Sequence, residues 1–279
     1  MIHLRTQKAF VFLLLVVAVQ ACAPIQPSNT SGPRGNEAPY PVLLAEDNHR
    51  EEVAIASINH LLSSGQGATA PALQPVTATI EHLPTNVAPA LYLPKLGANP
   101  LMNEEETRES LRRFIRDWQG PIGADPAKLS LVERVDQPDG SKIARYEQRA
   151  FRYPIRGDYG KLEIRFTPER RVLNITSTCI PDADKIQTGL SAVAIKLKAE
   201  DALKQLTAND ISYSNASGTK LTFRPSTNQL EPHELVTYIT AADNQTALRF
   251  HEAWEIGVTN APIKTVYVDA VTGQVVGTR

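Results

Sequence analysis

The chain has no excess of charge of either sign, and this absence excludes one class of protein at once. It carries 29 lysine and arginine residues against 30 acidic residues in a length of 279. A general nucleic-acid binder presents a basic surface to phosphates, so we expect no nucleic-acid partner. Hydrophobic residues make up 42% of the chain and charged residues 21%. This composition is typical of a globular protein and predicts a buried core.

Cysteine and long hydrophobic runs are also scarce. Two cysteines cannot frame a disulfide-stabilised miniprotein. The apolar run Ala9–Val19 has 11 residues, whereas a helix needs about 20 to cross a bilayer. The run follows Arg5 and Lys8 in a segment without acids. A basic start, a short apolar middle and small residues after it are typical of a secretory signal peptide.

The residues that close this segment indicate a lipid anchor. The four residues Val19–Cys22 resemble the bacterial lipoprotein box, in which a signal peptidase cuts before a lipid-modified cysteine. Ordinary cleavage after Ala23 would leave Pro24 just past the cut, which disfavours it. We therefore predict a signal peptide over residues 1–21, lipidation of Cys22, and attachment to a membrane of the bacterial cell envelope, facing the periplasm or the exterior. Plain secretion and an uncleaved anchor are the alternatives.

Proline divides the remaining chain into two unlike parts. Eleven of the 20 prolines fall in residues 22–100. Residues 22–44 are rich in Pro, Ser, Asn and Gly, and we predict a flexible tether there. For residues 45–100 we predict one helix, with Asn48 as N-cap and an end near Gly65, followed by a proline-rich extension. Prolines exclude a long helix or a central strand from that extension.

A second helix is specified more strongly. Asn103 and Glu106 have the spacing of a capping box, and Gly120 is expected to end the helix. Apolar residues follow at the spacing of one helical face. They are Leu111, Phe114, Ile115 and Trp118.

From Leu129 onward the hydrophobic period changes to two. Turn residues divide residues 129–175 into four predicted antiparallel strands. A short helix is predicted at about 199–206, and a second series of strands runs from 219 to 276. The fold class is therefore predicted to be α+β, with two antiparallel sheets that are each packed by a helix. Cys179 follows Ile175 on the same face of a strand end, which predicts a buried and unreactive thiol.

Two stretches resemble known modules. From about Glu106 to Pro181 the chain resembles the fungalysin/thermolysin propeptide, through its amphipathic helix, the segment 124–129 and the strand 143–148, although Tyr153 stands where that family often has glycine. From about Leu190 the chain is similar to a PepSY domain, through the segments 198–203, 253–256 and 266–276. The resemblance implies domains over residues 101–182 and 183–279, in the order found in prosegments of thermolysin-like metalloproteases, without the protease.

The same resemblance implies a function. Such prosegments fold and inhibit their protease by presenting sheet surface and an extended carboxyl-terminal tail. We therefore expect a membrane-anchored, non-catalytic protein that inhibits or chaperones a secreted metalloprotease in trans. The residues expected to bind the partner lie in the tail: Val275, Val276, Thr278 and Arg279. The alternative for the tail is that Val275 and Val276 complete the last strand and only residues 277–279 fray.

Catalytic patterns are weak. The run from His251 to Glu255 begins like the zinc-binding His-Glu-x-x-His of metalloproteases but ends in Glu, and it has the period of a strand. We therefore predict no metal, no cofactor and no catalytic residue, and we expect His251 on a solvated strand face. Two other functions stay open: a structural or interaction lipoprotein that binds another envelope protein through residues 45–100, and an enzyme with an unrecognised site.

Overall fold

The computed structural model of this chain describes residues 38–62, 72–83, 90–99, 101–215, 217–242 and 244–279. The predicted signal peptide, Cys22 and most of the predicted tether lie outside the described residues. The helices within these ranges are α1 (Asn48–Leu61), α2 (Glu104–Asp117), α3 (Gln119–Ile122), α4 (Ala183–Ser191) and α5 (Ala199–Ala208). The strands are β1 (Val42–Ala45), β2 (Ala72–Leu73), β3 (Ile80–His82), β4 (Leu129–Asp136), β5 (Lys142–Gln148), β6 (Ile155–Arg156), β7 (Lys161–Phe166), β8 (Val172–Ser177), β9 (Ile211–Ser214), β10 (Lys220–Phe223), β11 (Leu230–Ala241), β12 (Ala247–Val258), β13 (Thr265–Asp269) and β14 (Val275–Thr278).

The first sheet is an antiparallel meander in the order β4-β5-β7-β8. Its alternating residues place Ala144, Ile164 and Ile175 side by side on one face, where each is fully buried. Phe114 and Ile115 of α2 belong to the same core. The four predicted strands and their helix are therefore confirmed.

The ends of α2 follow from local chemistry. The Asn103 side chain accepts the Glu106 N–H at 2.9 Å, and the Glu106 carboxylate accepts the Asn103 N–H at 2.9 Å, so the capping box is confirmed. The predicted end at Gly120 is wrong, because α2 stops at Asp117 and Gly120 lies inside α3. Pro121 explains this, since a proline has no N–H for the carbonyl four residues earlier and its ring collides with that carbonyl.

The capping box makes a first prediction. Replacing Asn103 with Ala leaves the N–H of Glu106 without its side-chain acceptor. We expect the free energy of unfolding to fall by about 1 kcal/mol, measured by urea titration. Asn103→Asp is the matched control, because a carboxylate also accepts at an N-cap, and it should stay close to the parent. Equal losses in both variants would contradict the capping role.

The second sheet has six strands. Its main order is β14-β13-β12-β11-β6, and β1 pairs with β12 as well. β13 lies beside residues 253–257 of β12, and β1 lies beside residues 247–250 on the same side. One face of this sheet packs under α4 and α5, where Leu190 and Leu206 are buried. The short pairs β2-β3 and β9-β10 form sheets of their own, and β6 pairs with β11 in parallel. The predicted α+β class is confirmed, whereas the prediction of two purely antiparallel sheets is wrong at β6.

The amino-terminal part differs from its prediction. The predicted tether over residues 22–44 is wrong at its carboxyl end, since Val42–Ala45 is a strand and Leu44 is buried. Pairing with β12 gives this apolar run both hydrogen bonds and burial. The N-cap of α1 is Asp47, not Asn48, and α1 ends at Leu61, before the predicted Gly65.

The described residues of the region 45–100 contribute to the core. Ile58, Ile80 and Leu93 are each fully buried in the core of the first sheet. Residues Glu37–Arg279 form one compact unit by their contacts. β6, from the range predicted for the first domain, pairs with β11 of the second sheet. Because this pair crosses the predicted limit between the two domains, the domain boundary at 182/183 stays a prediction. No helix within the described ranges is long and apolar enough to cross a membrane.

Candidate functional site

The carboxyl-terminal tail expected to bind a partner is not free. Val275 and Val276 complete the last strand, as the alternative prediction had it, and the strand continues to Thr278. The expected fraying of residues 277–279 is wrong as well. Arg279 donates its N–H to the Thr265 carbonyl at 2.9 Å and accepts the Thr265 N–H at 3.0 Å. A tail held in this way cannot enter a cleft as a loose segment.

The tail instead forms the outer edge of the second sheet. No described residue pairs with β14 on the side away from β13. In an antiparallel pair, residues alternate between those that hydrogen-bond to the neighbouring strand and those that point away. Because Arg279 and Thr265 exchange both bonds, Thr278 is a residue of the second kind. Its N–H and carbonyl point outward, where another strand can pair with them.

The face of this sheet opposite α4 and α5 is covered by aromatic rings. Tyr238 of β11 and Tyr267 of β13 stack with their centroids 4.1 Å apart. Tyr267 is only 3% exposed and forms a small core with the fully buried Val236 and Ala253, and the partly exposed Tyr238 packs against this core. Gly277 permits this arrangement, since a Cβ there would stand 2.1 Å from the Tyr238 hydroxyl. We call this surface the tyrosine face.

An ion pair borders the tyrosine face. Arg156 of β6 donates through Nε to both carboxylate oxygens of Glu255 at 3.0 Å, and through Nη2 to Glu234 at 2.8 Å. The Tyr267 hydroxyl donates to Glu255 at 3.2 Å. Burial raises the pKa of Tyr267 to about 12, and the negative charge of Glu255 adds to the shift. The phenol therefore stays neutral and keeps its role as a donor.

His251 is not on a solvated strand face, contrary to the prediction. It is only 8% exposed, and its Nδ1 lies 2.7 Å from the carboxylate of Asp269, which is 1% exposed. Tyr40 completes the cluster from the amino-terminal segment. Its hydroxyl donates to Asp269 at 2.8 Å and accepts the N–H of Glu252 at 3.0 Å. Glu252 lies between the part of β12 that pairs with β1 and the part that pairs with β13. The Tyr40 hydroxyl therefore accepts a backbone N–H that neither strand reaches.

Hydrogen bonds decide the charge of this cluster. Burial by itself would raise the pKa of Asp269. The bonds from His251, the Thr272 and Val271 N–H groups and Tyr40 outweigh it, so the pKa is lowered. The carboxylate is therefore ionised at neutral pH. Burial, followed by the charge of Asp269, raises the pKa of Tyr40, so its hydroxyl remains a donor.

Glu252 lies on the face of β12 that packs against the helices. Its neighbours on that face are Phe250, in the core under α4, and Trp254, beside the core under α5. Glu252 is 4% exposed, and the small accessible part includes its carboxyl oxygens. Burial raises its pKa, Arg152 opposes the shift, and Asp269 adds to it. Thr237 is directly opposite on β11, and its hydroxyl is buried without a hydrogen-bond partner.

The strand explains the incomplete zinc motif. His251 and Glu255 share one face of β12, while Glu252 points to the other, as the period of two predicted. Among the described residues, no group of three His, Cys, Asp or Glu side chains is placed to hold a metal ion. Cys179 is fully buried, and burial raises the pKa of its thiol to about 12, which agrees with an unreactive cysteine.

Sequence reasoning missed Tyr40 and Asp269 as members of one cluster. The two residues are 229 positions apart, and Tyr40 lay in a segment predicted to be a tether. One local pattern did point to the strand after Tyr40, namely the apolar run from Val42 to Leu44. For Asp269 the pattern is an acid before a Gly273 turn, where its Oδ1 accepts two backbone N–H groups.

No model of a known family matches this chain, and no curated protein matches it.

Proposed function

We propose that this chain is a membrane-anchored, non-catalytic binding protein that inhibits or chaperones a secreted thermolysin-like metalloprotease in trans. The observation that carries the proposal is the outer edge of β14, which offers an outward N–H and carbonyl at Thr278 beside the tyrosine face. An extended segment of a partner would add to the sheet there as a further strand. Lipid on Cys22 would hold the protein at the cell envelope.

The side chains around this edge suit a protein partner. Tyrosine and arginine are enriched among the residues that dominate binding energy at interfaces. Here Tyr238 and Arg156 lie on one face, with Tyr267 stacked against Tyr238 but only 3% exposed, and Val275 at the edge is 41% exposed. The rings are already stacked and the guanidinium is already paired. Little side-chain freedom would therefore be lost on binding.

The buried cluster supports a binding role in another way. Nδ1 of His251 is engaged by Asp269, and Asp269 also accepts hydrogen bonds from Tyr40 and two backbone N–H groups. These bonds join the amino-terminal segment to the end of β13. They make the second sheet rigid next to its outer edge, which is what a preorganised binding surface requires.

Titration of the full chain into purified thermolysin tests the proposal. We expect inhibition at micromolar concentration. Thr278→Pro removes the outward N–H without touching the bonds to β13, and it should raise the inhibition constant about fivefold to tenfold. Thr278→Val is the matched control, because it keeps the N–H and nearly the same shape, and it should inhibit like the parent.

Unchanged thermolysin activity at micromolar levels of the full chain would contradict this function. That result would favour the alternative of an interaction lipoprotein without a protease partner. Fragments are unsuitable for the test, because residues 45–100 contribute Ile58 and Ile80 to the core of the first sheet.

A further inference from the structure

The second sheet has another open edge at its amino-terminal strand. β1 pairs with β12 on one side, and no described residue pairs with it on the other. A groove of about 430 Å³ runs along this free side, between β1, the start of α1 and the start of α4. Leu43 is 59% exposed at its centre.

The hydrogen bonds of β1 show which of its groups face the groove. Glu46 donates its N–H to the Thr246 carbonyl at 2.8 Å. Because hydrogen-bonded and outward-facing residues alternate along an edge strand, the backbone groups of Val42 and Leu44 also bond to β12. Those of Leu43 and Ala45 point outward, away from β12. Leu43 therefore offers both an N–H and a carbonyl to the groove. No described residue satisfies either of them.

The carbonyl of Ala45 is different, because it already has a partner. Arg50 donates Nη1 to it at 3.2 Å and to the Val76 carbonyl at 2.8 Å. A strand that pairs with β1 therefore needs no N–H opposite Ala45. Most sequences would place an N–H there, but a proline would not.

We infer that β1 pairs with β1 of a second copy of this chain, antiparallel about a two-fold axis at Leu43. In this register Leu43 exchanges both of its outward bonds with Leu43 of the partner subunit. Ala45 then faces Pro41 of the partner subunit, which has no N–H and leaves the Ala45 carbonyl to Arg50. The outward groups of β1 thus match those of a second copy.

The side chains agree with this pairing. Leu43 is opposite Arg249 of β12, on the face of the sheet away from α4 and α5. Across the two-fold axis the two exposed Leu43 side chains would be directly opposed and would cover each other. Such an isologous contact closes on itself and gives a dimer rather than a fibre.

This pairing is independent of the proposed binding at β14. β1 borders β12 at residues 247–250, whereas β14 is attached through β13 at the other end of β12. The outward N–H of Leu43 and that of Thr278 can therefore be removed one at a time. Proline is tolerated at such positions of an edge strand, because the lost N–H is not part of the sheet.

Sedimentation of the full chain carrying Cys22→Ser, in detergent from about 1 µM to about 500 µM, tests the inference. We expect a reversible dimer. Leu43→Pro should raise the dimer dissociation constant at least about tenfold, while Thr278→Pro should leave it unchanged. A monomer at every concentration overturns the inference, and so does a dimer whose dissociation constant does not respond to Leu43→Pro.

A cross-link provides a second measurement if Leu43→Pro fails to fold. Opposed residues in a hydrogen-bonded antiparallel pair have Cα atoms about 5.5 Å apart, so a short bifunctional thiol reagent can bridge two cysteines there. In the Cys22→Ser background, Leu43→Cys should therefore form a covalent dimer with such a reagent. Val275→Cys, exposed at the other edge, should not. Absence of the Leu43→Cys dimer, or equal cross-linking of both variants, overturns the inference.

Discussion

Asp269→Ala is expected to lower the free energy of unfolding by about 3–5 kcal/mol, because it breaks a buried charged network from its centre. The change leaves the Tyr40 hydroxyl, His251 Nδ1 and two backbone N–H groups without their acceptor. Urea titration of the full chain measures the loss. Asp269→Asn, which keeps the shape and removes the charge, should lose less.

The pH dependence separates charge from shape. The pKa of Asp269 in the folded protein lies below its ordinary value of 3.8. The ionised carboxylate therefore stabilises the fold at pH values above 3.8, and this contribution is lost as the pH falls through the lower folded-state pKa. The advantage of the parent over Asp269→Asn should be full at about pH 7 and shrink below about pH 4. A difference that stays constant with pH would show that the charge contributes nothing.

Glu252→Gln is expected to act in the opposite direction and to stabilise the protein by up to about 1 kcal/mol at about pH 7. Glu252 is 4% exposed beside the buried Thr237 hydroxyl, and burial raises the pKa of its carboxyl group. A neutral amide of the same shape is less costly to bury than a carboxylate. The measurement is again the free energy of unfolding in urea.

The sign of the pH effect follows from the direction of the shift. The pKa of Glu252 in the folded protein lies above its ordinary value of 4.5. Stability is therefore lost as the pH rises from 4.5 through the folded-state pKa, and Glu252→Gln should gain over the parent in that interval. Below 4.5 the two proteins should be equally stable. Glu231→Gln, at an exposed position of β11, is the control and should leave stability unchanged at all pH values.

A stabilised Glu252→Gln would also bear on function. Acids whose pKa is raised by burial cluster at functional sites. If the variant is more stable but inhibits thermolysin like the parent, Glu252 has no part in the proposed binding. If it is more stable and inhibits less, the carboxyl group under α4 and α5 contributes to the conformation that binds.

Local patterns were sufficient for several elements. The Asn103–Glu106 capping box, the apolar face of α2 and the period of two in residues 129–175 each depend on neighbours within a few positions. The end of α2 was predicted wrongly, although its cause, Pro121, is equally local. Gly120 can end a helix but does not have to, whereas Pro121 cannot donate the backbone hydrogen bond that would continue α2.

The candidate site was only partly predictable. Val275, Val276 and Thr278 were expected at the binding surface, and the structure places them in the outer edge strand of the second sheet. Their pairing with β13 was foreseen only as an alternative. His251 was placed on the correct face of its strand, but alternation cannot tell whether a face is covered, and here Tyr40 and Asp269 bury it.

By itself the amino-acid sequence determined the α+β class, the charge balance, the capping of α2 and the alternation of the strands, because each depends on composition or on residues close together in the chain. Only the tertiary structure decided that Val42–Ala45 is a strand, that Tyr40 reaches Asp269, and that the tail is bonded to Thr265. These contacts join residues far apart in the chain. The first two form because β12 is longer than β13, and its remaining edge needs hydrogen bonds that the segment around β1 supplies.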